Sequence, residues 1–109
     1  MRIPPDAAIP RDKLTRYLLV ERPWGDKSKF LARAGFTQTS SDELFVALRQ
    51  LATAREAVAD GGNEYGEFLR VEGDLIGPNG VTLPVVTIWL RWATDGSVRF
   101  VTLKPRREK

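Results

Sequence analysis

The pattern that most constrains the fold of this chain lies in residues 66–104. Two turn signals divide this stretch, Gly77-Pro78-Asn79-Gly80 and Asp95-Gly96, and both suit a tight chain reversal. The flanking segments are rich in Val, Leu, Ile, Thr, Phe and Trp, the residue types that fit a pleated strand. The stretch therefore predicts three consecutive antiparallel strands joined by two hairpins.

Apolar residues recur at helical spacing in the part of the chain that precedes this stretch. They predict helices over residues 11–20, 26–34 and 41–60. A capping box formed by Ser40 and Glu43 begins the third and longest of these helices. The helices are expected to cover one face of the sheet, because each has an apolar stripe that must be buried.

Helices followed by an antiparallel sheet define an α+β layer architecture. We predict three N-terminal helices packed on one face of a three- to four-stranded antiparallel β-meander, in a single domain over residues 1–109. Residues 1–10 are proline-rich and are expected to lie across the domain as an extended arm. Residues 11–60 form the helical part, residues 66–104 the sheet, and residues 105–109 a basic tail.

The composition excludes several kinds of active site. The chain contains no cysteine and no histidine, which rules out disulfides, thiolate metal sites and a Ser-His-Asp triad. We expect neither a metal nor a cofactor. Neither a membrane-spanning run nor a secretion signal is found, so we expect no membrane association and a cytoplasmic location. The formal net charge of +3 is a mild basic bias.

The two turns also predict which residues share a face of the sheet. Placing Ile76 opposite Val81 and Thr94 opposite Ser97 gives registers that agree with each other. One predicted face is aliphatic and is assigned to the core: Leu69, Val71, Val86, Ile88, Leu90, Val101 and Leu103. The opposite face mixes charges with aromatic rings: Phe68, Arg70, Glu72, Asp74, Leu83, Val85, Thr87, Trp89, Arg91, Phe100, Thr102 and Lys104.

Cations interleaved with aromatic rings on an open sheet favour single-stranded RNA as a ligand. The rings stack on bases and the cations contact phosphates. We predict that Phe68, Trp89 and Phe100, together with Lys29 of the second helix, bind RNA. Two other interpretations stay open for the same face. It also suits a protein interface anchored by Trp and Arg, or an ordinary sheet surface that cation–π pairs stabilise.

Cleavage of RNA needs neither histidine nor metal. It requires a base for the 2′-hydroxyl, an acid for the 5′-oxygen and cations on the phosphate. The candidates are Glu72 or Glu64 as the base, Lys104 or Tyr65 as the acid, and Arg70 and Arg91 as charge stabilisers. The simpler interpretation of Arg70 with Glu72 is a surface ion pair, worth roughly 0–1 kcal/mol.

Short motifs along almost the whole chain resemble an uncharacterised family of small bacterial and phage-borne domains. These motifs are Ile3-Pro4, Lys13-Leu14, Tyr17-Leu18-Leu19, Pro23-x-Gly25, Lys29-Phe30, Gly35-Phe36, Leu44 with Leu48, Gly73-Asp74-Leu75-Ile76-Gly77-Pro78-Asn79-Gly80, Val86-Thr87-Ile88-Trp89 and Arg99-Phe100-Val101-Thr102. Similar domains occur alone or at the C-termini of polymorphic toxins. The resemblance implies a fold like the barnase–EndoU–colicin–RelE group of metal-independent ribonucleases. In that family pattern a histidine often precedes Pro-x-Gly, and Arg22 stands in its place here.

The sequence and the resemblance together favour a ribonuclease-like toxin domain of a bacterial toxin–antitoxin or prophage system. In this interpretation it is a metal-independent endoribonuclease that binds RNA on the exposed sheet face. The alternative is a non-catalytic protein-binding module of a similar system. Its partner would be a small cognate antitoxin or a protein encoded by a neighbouring gene.

Overall fold

The helical segments lie in the first half of the chain, and the strands follow. The computed structural model describes residues 1–20 and 27–106. Helix α1, Arg11–Lys13, continues directly as a π-helical turn, Leu14–Leu18. Helix α2 is Ser28–Ala32, and a 3-10 turn, Gln38–Ser40, leads into α3, Ser41–Ala54. The strands are β1, Val58–Asn63; β2, Gly66–Ile76; β3, Thr82–Trp92; and β4, Val98–Pro105.

The prediction of three N-terminal helices packed on one face of the sheet is wrong. In the described part of the chain α3 is the one long helix, and the other helical segments are short. Helix α3 ends at Ala54 instead of near Asp60, since Arg55 has an extended backbone with φ −122° and ψ 153°. The residues that follow, including Gly61 and Gly62, form β1. Pairing of β1 with β2 thus replaces the last turns of the predicted helix. The fold is still α+β, because helical segments precede an antiparallel sheet.

The four strands form one antiparallel sheet in the order β1-β2-β3-β4. Strand β1 is short, and it pairs with β2 only from Asn63 opposite Gly66 to Val58 opposite Arg70. Among the described residues, β3 is therefore the only strand that pairs with residues 71–76 of β2. That half of β2 is an open strand edge.

The N-terminal arm lies against the opposite edge of the sheet. The Ala8 N–H donates to the Val98 carbonyl at 2.9 Å, and the Phe100 N–H donates to the Ala8 carbonyl at 2.8 Å. These bonds form a short parallel bridge to β4. Ile3 and Ile9 are buried, so the arm also contributes side chains to the core. The β4 edge is thereby partly covered, unlike that of β2.

Helix α3 lies on the core side of β2. Its buried residues recur at helical spacing: Leu44, Leu48, Leu51 and Ala52. The helix approaches the strand closely at Gly73, where a Cβ atom would lie 2.4 Å from Leu51 Cδ1. Such a distance is far below van der Waals contact, so a larger residue at this position would force the Leu51 side chain to move.

Strand β3 is shifted by one residue from its predicted position. Ile76 pairs with Thr82 and not with Val81. The reason is a longer loop, which the Gly77 N–H closes by donating to the Val81 carbonyl at 2.9 Å. Successive side chains of a strand point to opposite faces, so a shift of one residue exchanges the two faces of β3.

This shift changes which β3 residues form the core. The residues of β3 that face the core are Leu83, Val85, Thr87 and Trp89. Val86, Ile88 and Leu90, which the sequence assigned to the core, face the other way. Leu69 and Val71 of β2 are fully buried, as predicted.

Strand β4 contains a bulge at Val101. Trp89 pairs with Phe100, whereas the preceding residue, Ile88, pairs with Thr102. The bulge lets both Phe100 and Leu103 point into the core, although they are three positions apart in the strand. Leu103 is buried as predicted. The predicted exposure of Phe100 is wrong, and its ring packs edge-to-face on Trp89 at 5.4 Å between centroids.

A hydrogen-bonded chain crosses the core between β2 and β3. Trp89 Nε1 donates to Thr87 Oγ1 at 2.9 Å, and Thr87 Oγ1 donates to the Val71 carbonyl at 2.9 Å. Both Thr87 and Trp89 are fully buried. Each polar group is therefore paired in a place from which water is excluded.

Candidate functional site

The side of the sheet that faces away from the core is called the outer face below. Its residues are Phe68, Arg70, Glu72, Asp74, Val86, Ile88, Leu90, Trp92, Arg99, Thr102 and Lys104. Strand pairing arranges them in rows, one of which runs from Glu72 over Val86 to Lys104. Neighbouring strands lie about 4.8 Å apart, so the backbones of Glu72 and Lys104 are roughly 10 Å apart. Both side chains can reach a group bound above Val86.

Arg70 is held between two carboxylates at the edge of this face. Its Nη1 atom lies 3.4 Å from Asp60 Oδ1, and its Nε atom lies 3.3 Å from Glu72 Oε2. The Nε atom is shielded from solvent and has no hydrogen bond of good geometry to any described residue. The side chain as a whole is 37% exposed. Its terminal nitrogens thus remain accessible to an anionic ligand.

A cleft of about 370 Å³ adjoins Arg70 and Glu72 where α3 ends and β1 begins. We call it the arginine cleft. Its lining residues are Arg2, Ala54, Arg55, Glu56, Val58, Arg70 and Glu72. The guanidinium groups come from the N-terminal arm, the end of α3 and β2. Guanidinium groups bind phosphate and carboxylate groups bidentately, so the chemistry of the cleft suits an anionic ligand.

Glu56 organises the wall of the arginine cleft. Its Oε2 atom accepts a hydrogen bond from the Met1 amino group at 2.8 Å, and its Oε1 atom lies 3.3 Å from Arg2 Nε. The Met1 ammonium group and then Arg2 hold the pKa of Glu56 below its ordinary value. Arg2 also donates to the Thr53 carbonyl at 2.9 Å. These contacts fix the arm beside the end of α3.

Aromatic rings lie at the other end of the outer face. Trp92 contacts Tyr65 edge-to-face at 6.1 Å between centroids, and the Arg99 guanidinium lies 5.1 Å from the Trp92 ring. Tyr65 is 56% exposed. Phe68, one strand away, is half-buried. The outer face therefore combines rings with cations, although the rings are mostly not those that the sequence indicated.

The structure brings together only some of the predicted site residues. Phe68, Arg70, Glu72 and Lys104 share the outer face. Trp89 and Phe100 are each 0% exposed, so the predicted stacking of bases on these two rings is wrong.

Arg91 and Lys29 lie away from this group. Arg91 is on the core-side face of the sheet, where its Nη1 atom lies 3.8 Å from Glu67 Oε1 and its Nη2 atom lies 3.2 Å from Met1 Sδ. Lys29 is on the exposed side of α2. Arg22, the Pro-x-Gly motif that follows it and the first residue of the helix predicted over residues 26–34 lie outside the described residues.

The sequence interpretation missed Arg2, Arg55, Trp92 and Arg99. Trp92 and Arg99 flank the second hairpin, so a correct register would have revealed their contact. Arg2 and Arg55 are far apart in the chain, and no local pattern links them. Only the folding of the arm against the end of α3 brings them together.

None of the helices within residues 1–20 and 27–106 is long and apolar enough to cross a membrane. In the same residues there is no group of three or more acidic side chains arranged to hold a metal ion.

The comparisons with known proteins identify a family and a shared fold. The chain belongs to the family described as Domain of unknown function (DUF6883), which matches residues 5–107. A search of curated proteins finds no match. One chain of the solved "Contact-dependent growth inhibition toxin - immunity protein complex from Klebsiella pneumoniae 342" is similar, with a TM-score of 0.69 and 20% identity. The similarity covers 92% of this chain and 100% of that chain, and it shows that the two share a fold.

Proposed function

We propose that this chain is a toxin domain of a bacterial toxin–immunity or phage system, and that it binds and cleaves RNA on its outer face. Its fold is similar to that of a chain from a growth inhibition toxin–immunity complex, which supports the toxin class. The proposed site of action is the cytoplasm, where RNA is found. A small cognate immunity protein, encoded by a neighbouring gene, is the proposed partner.

The observation that carries this proposal is the position of the Arg70–Glu72 pair. The pair lies between the arginine cleft on one side and the row that ends at Lys104 on the other. A phosphodiester bound above Val86 is within reach of a carboxylate, a guanidinium and an ammonium group. These are the groups that cleavage of RNA without metal requires.

Each group has a defined task in the proposed reaction. The Glu72 carboxylate takes the proton of the 2′-hydroxyl while the 2′-oxygen forms a bond to phosphorus. The bond from phosphorus to the 5′-oxygen breaks, and the Lys104 ammonium group gives that oxygen a proton. Arg70 stabilises the negative charge on the phosphate oxygens. The products are a 2′,3′-cyclic phosphate and a 5′-hydroxyl end.

The aromatic end of the outer face is proposed to bind the flanking nucleotides. Phe68, Trp92 and Tyr65 offer rings to bases, and each stacked base contributes about 1–3 kcal/mol in proteins of this kind. Arg99 next to Trp92 adds a contact to the phosphate backbone. Substrate would therefore extend from the arginine cleft across the sheet towards the second hairpin.

The test is a cleavage assay on bacterial RNA with two matched variants. We expect Glu72→Gln to lower the rate by at least ~100-fold, because it removes the base. Glu67→Gln is the control, since Glu67 is on the same strand but on the opposite face. It should stay within about twofold of the unmodified chain, because surface substitutions of this type change little.

Three results would overturn the proposal. One is an unmodified chain that leaves RNA intact, and a second is a Glu72→Gln variant that cleaves at the original rate. The third is cleavage of a DNA oligonucleotide of the same sequence, since DNA lacks the 2′-hydroxyl. Activity should persist in a chelator, and the cut ends should carry cyclic phosphate.

A second candidate function is a non-catalytic protein-binding module that uses the same face. It is favoured by the apolar side chains of the outer face that solvent reaches, since Phe68, Ile88 and Trp92 are half-buried and Tyr65 is 56% exposed. Salt distinguishes the two functions. Binding of RNA should weaken steeply as salt is raised, whereas an interface centred on apolar side chains should change little.

A further inference from the structure

A groove runs between α3 and the open edge of β2. Two adjoining cavities of about 210 and 290 Å³ make up the groove, and Ala47, Gln50 and Ile76 line both of them. Val46 and Asp74 complete its two sides, one on the helix and the other on the strand. It adjoins the RNA site proposed above, because Asp74 belongs to the outer face and because Ala54 and Arg55 line both the groove and the arginine cleft.

The strand side of the groove offers unpaired backbone groups. In an antiparallel strand, alternate residues direct their N–H and C=O groups towards opposite neighbours. In the described part of the chain, residues 71–76 of β2 have a strand neighbour only on the β3 side. An extended segment placed in the groove would therefore continue the ladder of the sheet.

Both sides of the groove carry an exposed apolar side chain, Ile76 on the strand and Val46 on the helix. Ile76 is 69% exposed and Val46 is 50% exposed, and they are among the most exposed large apolar side chains described. Strand β1 stops pairing at Arg70, before it reaches this part of α3. A strand added beside residues 71–76 would cover the exposed flank of α3, in the same way that β2 covers the buried side.

The charges along the groove give the added strand a direction. Asp42 and Glu43 lie at the end next to Ile76, and Arg55 lies at the opposite end. A strand antiparallel to β2 begins beside Ile76 and ends beside Arg55. Its first residues therefore face the carboxylates of Glu43 and Asp42, the second of which already forms an ion pair with Arg11, and its last residues face the Arg55 guanidinium group. Charge complementarity favours a segment with Lys or Arg at its start and Asp or Glu at its end.

We propose that this groove docks a β-strand of a partner protein, which adds antiparallel to residues 71–76 of β2. Every second side chain of the docked strand is apolar and points towards Val46 and Ala47. The strand has a Lys or Arg near its start and an Asp or Glu near its end. The docking does not rest on the proposed RNA cleavage, because none of the three residues assigned to the cleavage step, Arg70, Glu72 and Lys104, lines the groove. A partner bound there would lie beside the arginine cleft. Such a partner could block access of RNA to the proposed site.

The test selects a displayed library of short random peptides on the full chain. We expect recovered sequences to alternate apolar and polar residues, with a cation first and a carboxylate last. Their binding should fall by about tenfold or more in Val46→Glu and in Ile76→Lys, a loss of about 1.4 kcal/mol. Both side chains are largely exposed, so the variants should fold. Val81→Lys is the control, since Val81 is 40% exposed and does not line the groove.

Amide hydrogen exchange gives a second measurement on the same peptides. Bound peptide should slow exchange within residues 71–76 and leave β4 unchanged. The proposal fails if no alternating peptide is recovered, if binding survives both groove variants, or if protection appears elsewhere. It also fails if the unmodified chain forms a dimer through this edge, because the occupant would then be a second copy. The groove variants should cleave RNA normally, so failure of one proposal does not decide the other.

Discussion

The two faces of the sheet contain the same types of residue but use them differently. Both Trp89 and Trp92 belong to strand β3. Trp89 lies on the core face, where it is fully buried and hydrogen-bonded to Thr87. Trp92 lies on the outer face, where the ring is half-buried and contacts Tyr65 and Arg99. The difference teaches that position along the strand, and not residue type, decides whether a tryptophan supports the fold or is available to a ligand.

The arginines of the two faces make the same comparison. Arg91 lies on the core-side face and contacts Glu67 and Met1. Arg70 lies on the outer face, with Glu72 beside it and the arginine cleft next to it. Both form ion pairs and both are about one-third exposed. Only Arg70 shares its surroundings with other groups that suit a phosphate.

The largest effect is expected from truncating the two tryptophans. Trp89→Ala should lower the free energy of unfolding by about 3–5 kcal/mol, because it leaves a cavity in the core. Trp92→Ala should cost about 1 kcal/mol, since the ring is half-buried and loses only an edge-to-face contact with Tyr65 and a cation–π contact with Arg99. Urea denaturation of both variants measures the difference. Equal losses would show that the outer face is as closely packed as the core.

A smaller but more specific effect is expected from the two arginines. Arg70→Gln should reduce the rate of RNA cleavage by about 100-fold, the effect typical of removing one group that stabilises a developing charge. Arg91→Gln should leave the rate within about twofold. Single-turnover cleavage of a labelled RNA measures both. If Arg91→Gln is the more damaging change, the assignment of the site to the outer face is wrong.

The smallest effect is expected from the two threonines. Thr87→Val should cost about 1–3 kcal/mol, because it leaves the buried Trp89 N–H without an acceptor. Thr102→Val should cost about 0.5 kcal/mol or less, since the hydroxyl is only partly buried where it accepts from Lys27 at 3.0 Å and donates to the Leu103 carbonyl at 3.4 Å. Thermal unfolding of both variants tests this. A Thr87→Val variant as stable as the original chain would mean that the N–H finds another acceptor.

Much of the local structure could be predicted from the sequence. Both hairpins form at their turn signals, and β2 has the predicted alternation of buried and exposed side chains. The end of α3 could not be predicted in this way. Val58 continues a helical apolar pattern, and it also fits a strand. Pairing with Arg70 of β2 decides in favour of the strand, and such pairing is not visible in local sequence.

The sequence correctly placed the β2 residues of the candidate site on one face of the sheet, but it placed the wrong residues of β3 beside them. Arg70 and Glu72 are two positions apart on one strand, so they share a face whatever the register. Trp89 and Arg91 were predicted to share that face through the register of the first hairpin, whose loop is one residue longer than predicted. With the longer loop, the side chains of β3 point to the opposite faces from those predicted, so Trp89 lies in the core. The tryptophan on the outer face is Trp92.

The sequence by itself determined the order of the last three strands, the positions of the two turns between them and the alternation of buried and exposed side chains along β2. These features depend on residues close together in the chain, through turn chemistry and side-chain periodicity. The tertiary structure decided the register between strands, the bulge at Val101 and the meeting of Arg2, Arg55 and Arg70 in one cleft. These depend on hydrogen bonds and packing between distant residues, whose relative free energies are not encoded in any short segment.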